Sequence, residues 1–128
     1  MSAEAGCAVT VDLFIWGLDV GKSVLHRFAS HLSEDELARA NRFNFPRDRT
    51  RFVAARGMLR EILGQRLSRS PSEIEFRYSD HGKPSLLEMQ PPVNFNLSHS
   101  EDLAALAVSQ SIDLGVDIEF VATLTASR

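Results

Sequence analysis

Apolar and polar positions along the chain follow two distinct periods. Val9, Val11, Leu13 and Ile15 alternate with Thr10, Asp12, Phe14 and Trp16, the period-two pattern of a strand with one face buried. Gly17 to Gly21 reads as loop. Ser33 followed by Glu36 has the spacing of a capping box and opens a short helix, with Leu37, Ala40 and Phe43 turned inward. Pro46 breaks that helix. A longer helix runs from about Asp48 to Leu67, where Phe52, Ala55, Leu59, Ile62, Leu63 and Leu67 form an apolar stripe. Ser70-Pro71-Ser72 ends it, and Ile74 to Tyr78 reads as a strand. Asp80 to Pro84 is dense in turn formers, and Pro91-Pro92 marks a further loop. Val93 to Leu97, Leu103 to Ser109 and Leu114 to Phe120 complete the strands, the last two joined by a polar turn around Gln110-Ser111. There is no internal repeat or dividing linker. The pattern predicts a single α+β domain over residues 1–128, with one main helix packed on a largely antiparallel sheet.

Composition changes this picture little. At 128 residues, 44% of them apolar, the chain can bury one core. A net charge of -3 gives no argument for nucleic acid or an anionic membrane, and no segment has the roughly 20 apolar residues of a membrane span. Cys7 is the single cysteine, so no intramolecular disulfide or cysteine metal cluster forms. With no basic region and apolar run at the N-terminus, the expected location is the cytoplasm. The distribution of charge is more informative. Arg42, Arg47, Arg49, Arg51, Arg56 and Arg60 crowd one stretch, whereas Asp113, Asp117 and Glu119 lie near the other end. Separate basic and acidic regions suit a polyanion and a cation respectively.

Four places carry candidate chemistry. Asp117-Ile118-Glu119 in a strand would project both carboxylates from one face, a partial hard-cation site suited to Mg²⁺. Taken alone, an Asp-x-Glu is more commonly a solvated strand face. Arg56 falls inside the apolar stripe of the main helix, where a charge needs a partner, while Arg51 falls well away from it. A guanidinium fork suits phosphate; intrahelical ion pairs with Glu61 or Asp48 are the competing use of these arginines. Lys83, between Gly82 and Pro84, is a turn-defined point charge. Ser98-His99-Ser100 sits at a strand end but lacks the Gly-x-Ser-x-Gly elbow of a hydrolase. His26, His31 and His81 lack metal-ligand spacing.

The order of these pieces is more specific than any one of them. An arginine-bearing helix, Gly82-Lys83-Pro84, Asn96-Leu97-Ser98-His99-Ser100 and Gly115-Val116-Asp117-Ile118-Glu119 follow one another. From about Phe43 to Phe120 the chain resembles the 4'-phosphopantetheinyl transferases of the larger, surfactin-synthetase-activating type, in their N-terminal half. The resemblance implies transfer of 4'-phosphopantetheine from coenzyme A to a serine of an acyl or peptidyl carrier protein. It implies Mg²⁺ on Asp117, with Glu119 binding directly or through water, and these two as the catalytic pair. Lys83 and Ser98 would contact nucleotide and pyrophosphate, His99 would lie near the 3'-phosphate, and Arg56 or Arg51 would reach phosphate from the helix. The family's larger members comprise two similar halves with the site between them, and the second carries a Trp-x-x-Lys-Glu segment. Nothing after Glu119 matches that segment, so a complementing C-terminal half or self-association is expected, together with an exposed apolar interface. A coenzyme A-binding half-domain without turnover and a non-catalytic scaffold are the alternatives.

Overall fold

The computed structural model describes residues 11–87 and 93–110. The strand expected over Leu114 to Phe120, the Pro91-Pro92 loop, Asp117 and Glu119 lie outside the described residues. The element order is β1 (Val11–Gly17), α1 (Lys22–His31), α2 (Glu34–Asn41), α3 (Pro46–Leu67), β2 (Phe76–Tyr78), β3 (Pro84–Leu86), β4 (Asn94–Ser100) and β5 (Leu103–Ser109), with a 3₁₀ turn at Pro71–Glu73. Strands β1, β5 and β4 form a fully antiparallel sheet with β5 in the centre, and β2 and β3 form a separate hairpin. The α+β architecture with α3 as its main helix is as the periodicity predicts, with three α-helices in all among the described residues.

Helix α3 is the axis of the core. Pro46 does not stop the preceding helix, which already ends at Asn41; it occupies the first turn of α3, where its missing N–H matters least. From Phe52 to Gly64 almost every residue of α3 is buried, so a single apolar stripe understates its surroundings. One side packs with Leu18, Phe28 and Leu32 of the α1 region, and the other with Ile74, Leu86, Val93, Leu106 and Val108. Helix α1 has no counterpart in the expected element list. It starts at Gly21 without a side-chain cap or an acidic first turn, and only Phe28 in it is buried, so the usual start signals are missing. Its contact with α3 is close. A Cβ on Gly57 would lie 2.2 Å from Cβ of Phe28, so only glycine lets the two helices meet at this crossing.

The sheet turns Phe14 and Trp16 of β1, Ala104, Leu106 and Val108 of β5, and Phe95, Leu97 and His99 of β4 toward one face, as the register requires. Trp16 donates from Nε1 to the Ala54 carbonyl of α3 at 3.3 Å. On the other face Leu13 is 58% exposed, with Val11 and Ile15 also exposed. Of the two faces of this strand, the aromatic one is therefore buried against the helix. Leu37 and Phe43, expected inward, are both exposed, and the buried positions of α2 are Glu36 and Ala40. No helix of the described residues is long and apolar enough to cross a membrane.

Replacing Gly57 with Ala should destabilise the fold by about 1–3 kcal/mol, because overpacking outweighs the ~1 kcal/mol gained in helix propensity. Urea unfolding measures this, as a lower midpoint with an unchanged slope.

Candidate functional site

A cavity of about 350 Å³ opens beside α3. Its walls come from four elements. Arg39 and Phe43 come from α2 and its end, Phe52, Ala55 and Arg56 from α3, His81 to Pro84 from the β2–β3 turn, and Leu97 and His99 from β4. None of these lining residues is acidic. Arg39, Arg56 and Lys83 bring positive charge to one apolar-backed groove.

The turn wall is built by local chemistry. Gly82 has φ of 81°, a left-handed conformation that glycine adopts without penalty. Ser79 organises the turn, its Oγ accepting from the backbone N–H groups of His81 and Lys83 and its own N–H donating to the Lys83 carbonyl at 3.0 Å. The backbone at Lys83 is therefore fixed by the hairpin, as the Gly-Lys-Pro spacing suggests.

Arg56 is buried, with 5% of its surface exposed, and has the partner its position demands. That partner is Glu36 of α2, which is fully buried. Arg56 Nη1 donates to Glu36 Oε2 at 3.1 Å and to the Tyr78 hydroxyl at 3.0 Å. Arg60 donates from Nε to Glu36 Oε1 at 2.8 Å, and from Nη1 to the carbonyls of Pro71 and Ile74. The competing intrahelical use of these arginines, with Glu61 or Asp48, gives way to these longer-range pairs. Glu61 instead pairs with Arg27 and His31 of α1.

The other candidate residues separate. Arg51 pairs with Asp19 on the surface at 2.8 Å and does not line the groove. That contact, chiefly the hydrogen bond to the Arg51 guanidinium, holds the Asp19 carboxyl below its ordinary value. Ser98 pairs in register with Ala105 and His99 with Ala104, so the pleat sends them to opposite faces and only His99 reaches the groove. The His99 residue as a whole is exposed, but its ring sits against the groove wall. Its pKa lies below the usual 6.5, first because of that partial burial and second because of the Arg56 charge. Asp117 and Glu119 lie outside the described residues, and no three His, Cys, Asp or Glu side chains among the described residues could together hold a metal ion. Three lining or supporting residues were missed in the sequence. Arg39 carries no signal of its own among so many arginines. Glu36 and Tyr78 do carry one. Glu36 stands four residues before Ala40, on the same helix face, and Tyr78 ends the strand that leads into the turn.

Fold and groove together define an α+β domain with a cationic pocket against its central helix. The family described as 4'-phosphopantetheinyl transferase, N-terminal, matches residues 20–111. The 4'-phosphopantetheinyl transferase HetI of Nostoc sp. is 47% identical over 114 residues, covering 86% of this chain and 48% of that protein. The L-aminoadipate-semialdehyde dehydrogenase-phosphopantetheinyl transferase of Mus musculus is 33% identical over 91 residues, covering 68% of this chain and 29% of that protein. A crystal structure of a holo-(acyl-carrier-protein) synthase from Bacillus anthracis in complex with CoA (3',5'-ADP) superposes with a TM-score of 0.60 at 28% identity. It covers 80% of this chain and 96% of that one. The chain belongs to the 4'-phosphopantetheinyl transferase family and matches its N-terminal part. It spans about half the length of the Nostoc relative.

An NMR titration should place the His99 pKa below 6.5, and Arg56→Gln should move it part of the way back, the burial contribution remaining. With the folded pKa depressed, the stability linked to His99 is fully present above about 6.5 and is lost as pH falls through the folded value.

Proposed function

We propose that this chain forms the coenzyme A-binding half of a phosphopantetheinyl transferase acting on an acyl or peptidyl carrier protein. The observation that carries this reading is the groove itself. Arg39, Arg56 and Lys83 converge on it from three separate elements, with no described carboxylate in the lining. Guanidinium and ammonium groups of this kind hold phosphates by charge-assisted hydrogen bonds. His99 adds a group that responds to an anion: a bound phosphate favours the imidazolium and raises its pKa, so phosphate affinity increases as pH falls.

In the proposed reaction the carrier serine oxygen bonds to the phosphorus bearing the pantetheine arm. The bond from that phosphorus to the bridging oxygen breaks, adenosine 3',5'-bisphosphate leaves, and the serine proton passes to a base. The family's second half supplies that base on its Lys-Glu segment, or uses the same Glu as a further metal ligand. Asp117 and Glu119 offer two hard oxygen donors two residues apart, a donor set that fits Mg²⁺. When bound there, Mg²⁺ supplies positive charge against the pyrophosphate oxygens. The groove cations of this chain bind and orient the nucleotide end.

The exposed Val11, Leu13 and Ile15 face of β1 supports a second domain packing on the sheet, in the same polypeptide or in another copy. A coenzyme A-binding half without turnover is distinguished from a transferase by assay alone. The reducing cytoplasm remains the proposed location, on the strength of the single cysteine.

Calorimetric titration of coenzyme A, with Mg²⁺ and with chelator, tests the reading. Binding should be Mg²⁺-dependent and weakened about tenfold or more by Lys83→Ala and by Asp117→Ala. Absence of binding under every condition contradicts the proposal. Together with a half that bears the Lys-Glu segment, this chain should support transfer to a carrier protein, read as the mass gain of a phosphopantetheine arm.

A further inference from the structure

Two guanidinium groups and one carboxylate meet in the interior where α2 and α3 touch, leaving one positive charge uncompensated. Arg60 does not line the groove. Its Nε is engaged by Glu36 and its Nη1 by the Pro71 and Ile74 carbonyls, at 2.9 and 2.8 Å. Arg56 is held differently. Both of its hydrogen bonds, to Glu36 Oε2 and to the Tyr78 hydroxyl, use Nη1. A guanidinium carries five N–H donors, two of them on Nη1. Nε and Nη2 are thus left over on a side chain that lines the cavity. The plane is fixed further by the Phe52 and Tyr78 rings, whose centroids lie 5.1 and 5.5 Å from Cζ.

We infer that Glu36 and Tyr78 are positioning residues, clamping Nη1 of Arg56 so that its remaining donors face the groove as a prealigned fork for a phosphate group of coenzyme A. The inference rests on the reading of the groove as the coenzyme A site. An arginine that enters binding already aimed loses less side-chain freedom on contact with phosphate. Glu36 also anchors the clamp to the helix start, since its Oε1 accepts from the Ser33 N–H at 2.9 Å and the Ser33 Oγ accepts from the Glu36 N–H. Tyr78 ties the same guanidinium to the strand that leads into the Lys83 turn.

The test is calorimetric titration of coenzyme A into the full chain and four variants: Glu36→Gln, Tyr78→Phe, Arg56→Gln and the double variant Glu36→Gln/Arg56→Gln. Thermal unfolding of each confirms that it is folded. Glutamine keeps an oxygen for the Ser33 cap and Arg60, and it removes the charge and puts an NH2 donor where Oε2 accepted from Arg56. Glu36→Gln should weaken binding about tenfold and Tyr78→Phe about threefold. The double variant should bind no more weakly than Arg56→Gln alone, because both changes act through one guanidinium. A purely structural role for Glu36 would make the two losses additive, and additive losses overturn the inference. So does unchanged affinity in both Glu36→Gln and Tyr78→Phe, an outcome that leaves the groove as a coenzyme A site. If Glu36→Gln does not fold, Tyr78→Phe decides: weakened binding supports the clamp, and undiminished binding overturns it. Failure of the unaltered chain to bind coenzyme A overturns the reading of the groove and this inference with it.

Discussion

A carboxylate without solvent exposure, Glu36, is shared between Arg56 and Arg60 and sets the geometry of half the molecule. Removing one member of such a group leaves an uncompensated buried charge and costs about 3–5 kcal/mol. The arrangement is therefore specific more than it is strong. Only a placement with the first turn of α2 against the middle of α3 gives all three charged groups a hydrogen-bond partner. Arg60 extends the constraint to the 3₁₀ turn after α3, and Arg56 extends it to Tyr78 in the hairpin.

The groove follows from this constraint. Its α2 wall, α3 wall and turn wall are each joined to the buried network by a hydrogen bond, and the fourth wall is the β4 edge of the antiparallel sheet. The cations that face the cavity are thereby held on a frame that itself carries one uncompensated positive charge. That gives a physical basis for an anion site in a chain whose net charge is -3. Close approach of α1 to α3 at Gly57 completes the support from behind.

Much of the frame is legible in the sequence. The capping box at Ser33 and Glu36 and the length of α3 rest on local rules and appear where those rules place them, and β5 spans the Leu103–Ser109 strand expected. The demand that Arg56 find a partner is legible too, but the partner is not. Glu36 lies 20 residues away on another element, beyond any i,i+3 or i,i+4 helix rule. Helix α1 escapes notice because it lacks a cap. The buried face of β1 is ambiguous because both faces are apolar, and the two aromatics win against the helix. The separation of Ser98 from His99 needed only the pleat of a strand, whereas the resemblance treats them as one motif.

The most direct test of the central claim is amide hydrogen exchange on Glu36→Gln. If the shared carboxylate holds the groove walls together, exchange should accelerate in α2 and in the β2–β3 hairpin far more than in β1 and β5. Unchanged exchange in the hairpin, with the variant folded, would contradict the account.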